Sequence, residues 1–474
     1  MVEQTAERWA REEFGSVALG DVRRQKRLVA MAAEAARKPS GRVSSVFERR
    51  QDREGAYDFL ESELVSPEAI AEQVFASTAG RCRGEDFVYV TIDGSSLTLP
   101  DGCETKGFGP VGTRRIPARG LMVINALAVR GDGTPLGLID QAFWVRGETA
   151  ELTKVQVIER NKTLAFEQKE PANFVRSAER AIERLKQVGV RVWVVIDREG
   201  DNRDILSALK SLDCDFTIRA NYDRYLAARA GRLRDGLAVQ KPLGTYVAHV
   251  GRTGNRPARD ATLELRATSV ELLFRSRPNK PTETLGLTAV SVTERRSGRS
   301  KDDRALSWML YTNIAVQTQG DGLRIVEAYR TRWRVEEFHR TWKRGECNIE
   351  DSQLRSVNSV KKWATIMATV ATRIERLKYS SRHRPDEPAT LTLTTTEIEV
   401  LLHDQRQRAP RGTRFRRKPV ESVTIAEATQ WIALMGGWIG ETNGPPGSIT
   451  LARGLERLGL LAQGVALARK LNER

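Results

Sequence analysis

Two aspartates each close a run of apolar, mostly β-branched residues: Asp93 ends FVYVTID (87–93) and Asp197 ends RVWVVID (191–197). Such runs read as buried strands. A carboxylate at the end of an apolar strand stands at the rim of a sheet, where ligands bind in α/β folds. One such aspartate often only caps the helix that follows. Two matched ones suggest a shared anionic pair. A third carboxylate comes from AYRTRWRVEEFHRTWK, within a strong helical pattern over 321–345. Read as one continuous helix turning about 100° per residue from Tyr329, Arg332 falls at about 300°, Glu336 at about 340° and Lys343 at about 320°. Val335, Phe338 and Trp342 fall at about 180–240°, roughly opposite. One face then buries apolar groups, and the other carries a phenol, a guanidinium, a carboxylate and an ammonium in a narrow stripe. Solvated charges on a surface helix explain the apolar face equally well, but not the tyrosine among the charges. Glu337 adjoins Glu336 yet points about 100° further round.

Three carboxylates from two strand ends and one helix suit a pair of Mg²⁺ ions, with Mn²⁺ able to substitute, because hard cations take oxygen ligands and phosphate oxygens complete the shell. Two ions about 4 Å apart can activate a water or a 3′-OH and stabilise the leaving oxygen of an in-line phosphodiester displacement. Neighbouring Arg and Lys would hold the DNA backbone by charge. The net charge points the same way: +16 at pH 7 over 474 residues, with a sequence pI near 9.9. A polyanion is the natural partner of such a chain, and double-stranded DNA fits. Four cysteines (Cys82, Cys103, Cys214, Cys347) and four histidines (His249, His339, His383, His403) neither pair as CxxC nor cluster. A structural zinc site is therefore not expected, and free thiols in a reducing compartment are. No apolar run is long enough to span a bilayer, and the charged N-terminus MVEQTAERWAREEF has no signal core. No membrane role is expected; the reading is a cytoplasmic, bacterial-type protein acting on the chromosome.

The elements that must position these residues follow from periodicity. Residues 1–70 read as a helical, basic module: ALGDVRRQKRLVAMAAEAARKPSGR carries Arg23, Arg24, Lys26 and Arg27, with Leu28, Met31, Ala32 and Ala35 at helical spacing. Strands are predicted at 87–93, 121–129, 135–145, 191–197 and 215–220, with helices at about 171–188 and 202–212. This is an α/β pattern with a mixed sheet. Residues 221–315 are strand-rich and read as a β insertion. A second strong helix is predicted at 354–378. Residues 386–422 read as a basic linker, through RQRAPRGTRFRRKP, and 423–474 as a small helical bundle.

YRTRWRVEEFHRTWK carries the Y-(2)-R-(3)-E-(6)-K signature of the insertion-sequence-four family of DDE transposases. DGSSL (93–97) resembles that family's first-aspartate block and DREGD (197–201) its second. ALGDVRRQKRL and EGAYDFLES resemble the family's N-terminal end-binding domain, and WIALMGGWIG followed by LARGLERL its C-terminal dimerisation region. The resemblance implies an RNase H-like catalytic core (71–385) with a β insertion, flanked by N- and C-terminal helical domains (1–70 and 423–474). It implies Asp93, Asp197 and Glu336 as metal ligands, and Tyr329, Arg332 and Lys343 as groups that grip the element end. It further implies cut-and-paste transposition through a DNA hairpin, with transposon ends and target DNA as partners and a homodimer in the DNA complex. Trp308, in ALSWMLYT, matches the tryptophan that stacks on a flipped base; a core strand tryptophan is the plainer reading. Arg219, in TIRA, resembles an arginine that contacts DNA near the active site. In the loop GFGPVGTRRIPARG (107–120), Arg114, Arg115 and Arg119 are candidate DNA contacts. Two other readings are compatible with the fold: a catalytically silent DNA-binding regulator derived from a transposase, and a structure-specific nuclease with an RNase H-like core.

Overall fold

The computed structural model of the chain describes residues 5–102, 104–112, 116–147, 154–251, 257–275, 281–295, 305–408, 418–440 and 444–472. Helices α1 (Thr5–Phe14), α2 (Val22–Arg37), α3 (Val43–Val46), α4 (Arg50–Glu61) and α5 (Pro67–Cys82) come first. They are followed by β1 (Phe87–Thr98), β2 (Gly109–Pro110), β3 (Arg119–Arg130) and β4 (Pro135–Trp144). Next are α6 (Lys154–Thr163), α7 (Ala172–Lys186), β5 (Arg191–Ile196), α8 (Arg203–Ser211), β6 (Asp215–Arg219) and α9 (Leu233–Ala238). Strands β7 (Gly244–Val250), β8 (Arg259–Phe274), β9 (Glu283–Glu294) and β10 (Ser307–Thr312) lead into α10 (Gln319–Arg330) and α11 (Trp333–Lys343). The chain ends with α12 (Val357–His383), α13 (Thr395–Arg408), α14 (Ile425–Met435) and α15 (Ser448–Asn472).

Internal contacts divide the chain into two units. One comprises Gly84–Gly94 and Thr149–Val335; the other comprises Met1–Arg83, Ser95–Glu148 and Glu336–Arg474. In the first unit β5 is the centre of a mixed sheet. It pairs in parallel with β1 on one side and with β6 on the other. All of Val192–Ile196 are buried, as expected of a strand covered on both faces. Helix α7 supplies a buried face of Phe174, Val175, Ala178, Ala181, Ile182 and Leu185 at helical spacing. The strands expected as a β insertion inside the α/β domain lengthen this sheet. β10 pairs antiparallel with β6 and with β9, then β9 with β8 and β8 with β7.

In the second unit the antiparallel pair β3–β4 packs on α5 and α12, and α12 also meets α2, α4, α14 and α15. Nineteen residues of α12 are buried, from Ser359 to Ser380, so this helix serves as the unit's axis. The N-terminal helices share one unit with the C-terminal ones. The stretch 386–422, expected as a linker, holds α13, whose Ile398, Leu401 and Leu402 join α14 and α15 in one apolar cluster. Residues 409–417 of that stretch lie outside the described residues.

Two further expectations change. β1 runs five residues past Asp93, to Thr98, so Asp93 sits within a strand rather than at its end. The helix expected over 321–345 is two helices, α10 and α11. At the break, Thr331 Oγ1 donates to Ala328 O at 2.6 Å, and the next N–H groups reach back three residues: Arg332 N to Tyr329 O, Arg334 N to Thr331 O and Val335 N to Arg332 O. A tight turn of this kind winds about 120° per residue instead of about 100°. Positions after it are thus rotated against those before it.

Candidate active site

The register of β1, β5 and β6 places the first two aspartates. Ile92 is paired with Ile196, and Ile196 with Ile218. One residue further on, Asp93, Asp197 and Arg219 stand abreast on three neighbouring strand lines, about 4.8 Å apart. Side chains alternate along a strand, so the three share one face with Thr91, Val195 and Thr217. Arg219 is paired with Leu310, and Trp308, two residues before Leu310 on β10, lies on the same face. Helix α10 contacts this face: Arg324 lies 5.9 Å from the Trp193 ring, and Trp193 alternates in phase with Val195 and Asp197.

Asp93 and Asp197 are both half-buried. Asp197 also caps the short turn Arg198–Gly200, accepting the Glu199 N–H at 2.7 Å, so the plain capping role and the site role coexist. Burial is the main cause that raises the Asp197 carboxyl above the usual aspartate value. The Glu199 N–H opposes it, Asp93 adds to it, and Arg332 and Arg198 again oppose it. Glu199 is raised as well, first by burial and then by Asp197 and Asp93. Sequence reading missed Glu199; its only signal is its place inside DREGD. Carboxylate oxygens so placed are hard donors of the kind a divalent cation takes. Among the described residues, no group of three or more histidine, cysteine, aspartate or glutamate side chains is arranged to hold a metal ion.

Tyr329 and Arg332 are buried, at 3% and 6% exposure, which corrects their expected place on an open charged stripe. The break after α10 is the reason: it removes them from the helical phase of α11. The Arg332 guanidinium lies 5.6 Å from the Tyr329 ring and 4.9 Å from the Trp333 ring, and its charge acts on Asp197. Trp308 is half-buried rather than a core residue, and its ring lies 6.2 Å from that of Tyr329. Trp308, Tyr329, Arg332 and half-exposed Trp333 thus form a run of neighbouring planar groups, with the Trp308 and Tyr329 rings tilted at 60°.

Glu336 opens the Glu336–Arg474 part of the second unit, in the first turn of α11, and is half-buried. Val335, Phe338 and Trp342 on the same helix are fully buried, as the periodicity predicts. The helix is held by polar contacts that sequence reading missed. His339 Nε2 lies 2.9 Å from Asn125 Nδ2, Gln141 Nε2 donates to Asn125 Oδ1 at 2.7 Å, and Thr365 Oγ1 donates to Gln141 Oε1 at 2.9 Å. Trp342 Nε1 donates to Ala364 O at 2.9 Å. Lys343 Nζ lies 3.0 Å from Ser95 Oγ, within the DGSSL block.

The basic residues of the N-terminus are divided. On α2, Arg23 is exposed and paired with Asp21 at 2.9 Å, and Arg24 donates to Leu19 O. Lys26 and Arg27 are exposed. Leu28, Met31, Ala32 and Ala35 are buried as the spacing predicts. Arg114 and Arg115 lie outside the described residues. Arg119 is turned inward, bonding Phe108 O and pairing with Glu104 at 3.3 Å.

Two family models match the chain. The one described as Transposase DNA-binding covers residues 6–65, that is, α1 to α4. The one described as Transposase DDE domain covers residues 173–373, which include Asp197 and Glu336. Together they support a DDE transposase with a DNA-binding domain, and a DDE domain implies dependence on a divalent metal ion. No helix among the described residues is long and apolar enough to cross a membrane.

Proposed function

From these two transposase domains, we propose that the chain is a cut-and-paste DNA transposase of the insertion-sequence-four type. It binds the inverted-repeat ends of its element, cuts them through a hairpin, and joins the 3′-OH ends to target DNA. The observation that carries the reading is the β1–β5 register, which sets Asp93 and Asp197 side by side on one face. We assign these two and Glu336 as the ligands of two Mg²⁺ ions. When bound, the ions would supply an activated oxygen nucleophile and stabilise the leaving oxygen of the phosphodiester.

The chain's own residues account for the rest. Asp93 and Asp197 fix the anionic end of the site on a strand pair that is buried and cannot slip. A one-residue slip would reverse every side chain of β5. Arg332, close to Asp197 in charge and stacked on aromatic rings, holds the electrostatic balance of that pair. Arg219 stands beside Asp197 to meet a DNA phosphate. Lys343, held against Ser95 of the DGSSL block, is assigned to the DNA backbone as well. Trp308 offers a partly open aromatic face on which an extruded base can stack while the hairpin forms. Lys26 and Arg27, exposed on α2 in the DNA-binding segment, are assigned to the backbone of the element end, with Arg23 and Arg24 in support. Leu460, Leu467 and Leu471 on α15 are each more than half exposed. Their spacing of seven and four residues makes an apolar stripe, which supports a homodimer in the DNA complex.

The test is incubation of the purified protein with Mg²⁺ and linear DNA carrying the inverted repeats. Double-strand breaks at the repeat ends, with hairpins as precursors, are expected. Binding without any cleavage in either Mg²⁺ or Mn²⁺ sinks the proposal. Asp93→Asn or Asp197→Asn should abolish cleavage and leave end binding in place.

A further inference from the structure

We infer that Glu350 is a positioning residue that sets where the Lys343 ammonium points, an inference that rests on the reading of Lys343 as a DNA-contacting group. The Glu350 side chain is 8% exposed, and a carboxylate so deeply buried must be paired. Its Oε1 accepts the Thr98 N–H at 3.0 Å and lies 3.5 Å from Lys343 Nζ. Its Oε2 takes the Arg344 Nε at 2.6 Å. Lys343 therefore has two fixed partners, Ser95 Oγ and Glu350, both tied to the last residues of β1. An ammonium has three donors, so one remains for a phosphate. A lysine stem has four rotatable bonds and loses much rotamer freedom when ordered. Glu350 supplies that ordering before DNA arrives.

Glu350 is itself held in place. It lies in the short turn Ile349–Asp351, entered through Asn348 at φ 40 and ψ 47. Ile349 is fully buried. Asp351 Oδ2 lies 2.6 Å from Arg42 Nε. Gly41 packs so closely on the turn that a Cβ there would stand 2.0 Å from Asn348 O. Gly41 and Arg42 belong to the segment matched as transposase DNA-binding. The turn is thus clamped on one side by that segment, and on the other it presents Glu350 to Lys343. Lys343 and Glu350 are seven residues apart, but α11 ends at Lys343, so helical spacing could not reveal the pair.

The experiment uses the full chain with Glu350→Gln, which keeps the shape and an acceptor for the Thr98 N–H but removes the charge. Lys343 acylation by an amine-reactive ester, without DNA, is followed by peptide mass spectrometry. A several-fold faster reaction at Lys343, with the other lysines unchanged, is expected. Single-turnover cleavage of inverted-repeat DNA at saturation should fall by roughly tenfold, the worth of one charged hydrogen bond. End binding and melting temperature should stay nearly unchanged. In a Lys343→Met background the same change should add no further loss. Unchanged Lys343 reactivity overturns the inference, and so do cleavage losses that multiply in the double variant. Arg344→Ala removes the Oε2 partner but leaves Oε1 on the Thr98 N–H and beside Lys343, so its effect on both readouts should be clearly smaller; an equal effect from it also overturns the inference. If the wild-type chain cuts no DNA, the transposase reading fails, while the Lys343 reactivity still decides the role of Glu350.

Discussion

Glu336 and Glu337 are adjacent carboxylates on α11, and only Glu336 should serve the chemistry. Within α11 the apolar phase is fixed by Val335, Phe338 and Trp342, each fully buried. Burying side chains of this size is worth about 1.5–3 kcal/mol each, so about 4.5–9 kcal/mol holds the helix in its rotation. The Trp342–Ala364 bond and the His339–Asn125 contact oppose turning further. Bringing Glu337 to the position of Glu336 needs a turn of about 100°, which forfeits most of this. Glu337 instead faces α12, with Oε1 3.9 Å from Lys378 Nζ, and Lys378 also pairs with Glu375. The distance is long and the partner shared. With Glu337 about a quarter exposed, the pair is worth at most about 0.5 kcal/mol after screening. Glu336→Gln should therefore be inactive in Mg²⁺-dependent cleavage while binding DNA. Glu337→Gln should keep most activity, with a melting temperature lower by about a degree. Both are assayed side by side at equal folded concentration. An inactive Glu337→Gln beside an active Glu336→Gln refutes the register argument.

Four further outcomes are expected. Asp197 has a raised carboxyl, chiefly from burial and with Asp93 adding to it, so its ionised form costs stability in the metal-free chain. That cost is full above the folded-state value and vanishes once the pH falls below the unfolded value of about 3.9. In EDTA, Asp197→Asn should melt above the wild type at neutral pH, and the gap should close as the pH falls toward 4; a pH-independent gap contradicts this. Adding Mg²⁺ should raise the melting temperature of the wild type but not of Asp197→Asn, as read by calorimetry. Trp308→Ala should permit the first nick but slow hairpin formation, by a stacking loss of roughly 1–3 kcal/mol; unchanged hairpin yield with reduced nicking identifies a structural tryptophan. Leu467→Glu with Leu471→Glu should leave single-end gel shifts intact and abolish paired-end complexes. These point changes are preferable to deleting 423–474, because α13 buries Ile398 and Leu401 against α14 and α15, and truncation would expose that cluster.

Local pattern made most elements legible. The apolar runs of β1, β3, β4, β5 and β6 and the amphipathic phase of α7 can be read from a few residues each, because burial on one or two faces dictates them. The break between α10 and α11 could not be read. No glycine or proline marks it; a threonine hydroxyl competing for the Ala328 carbonyl does. Helix α13 was hidden for a related reason. Its charged residues, among them Arg406 and Arg408, resemble a linker, and only the α14–α15 surface reveals why Ile398, Leu401 and Leu402 are needed.

The site divides along the same line. Relations within one helix survive intact: Glu336 and Lys343 are seven residues apart on α11, nearly two full turns, so they keep one face whatever precedes them. Relations across the break do not. Over the three or four tightly wound residues around Arg332, an excess of roughly 20° each shifts Tyr329 by some 60–80° against Glu336. That is enough to carry a residue from an open face into a buried one, which is where Tyr329 and Arg332 are found. Relations between strands lie beyond local pattern altogether. Asp93, Asp197, Arg219 and Trp308 are spread over 216 positions of sequence, and what unites them is hydrogen-bond register. Ile92 opposite Ile196, Ile196 opposite Ile218 and Arg219 opposite Leu310 put all four on one face. Moving any of these pairings by one residue would send a member to the opposite face. The apolar runs are therefore part of the site: by burying β5 on both sides they fix the register on which the carboxylate pair depends.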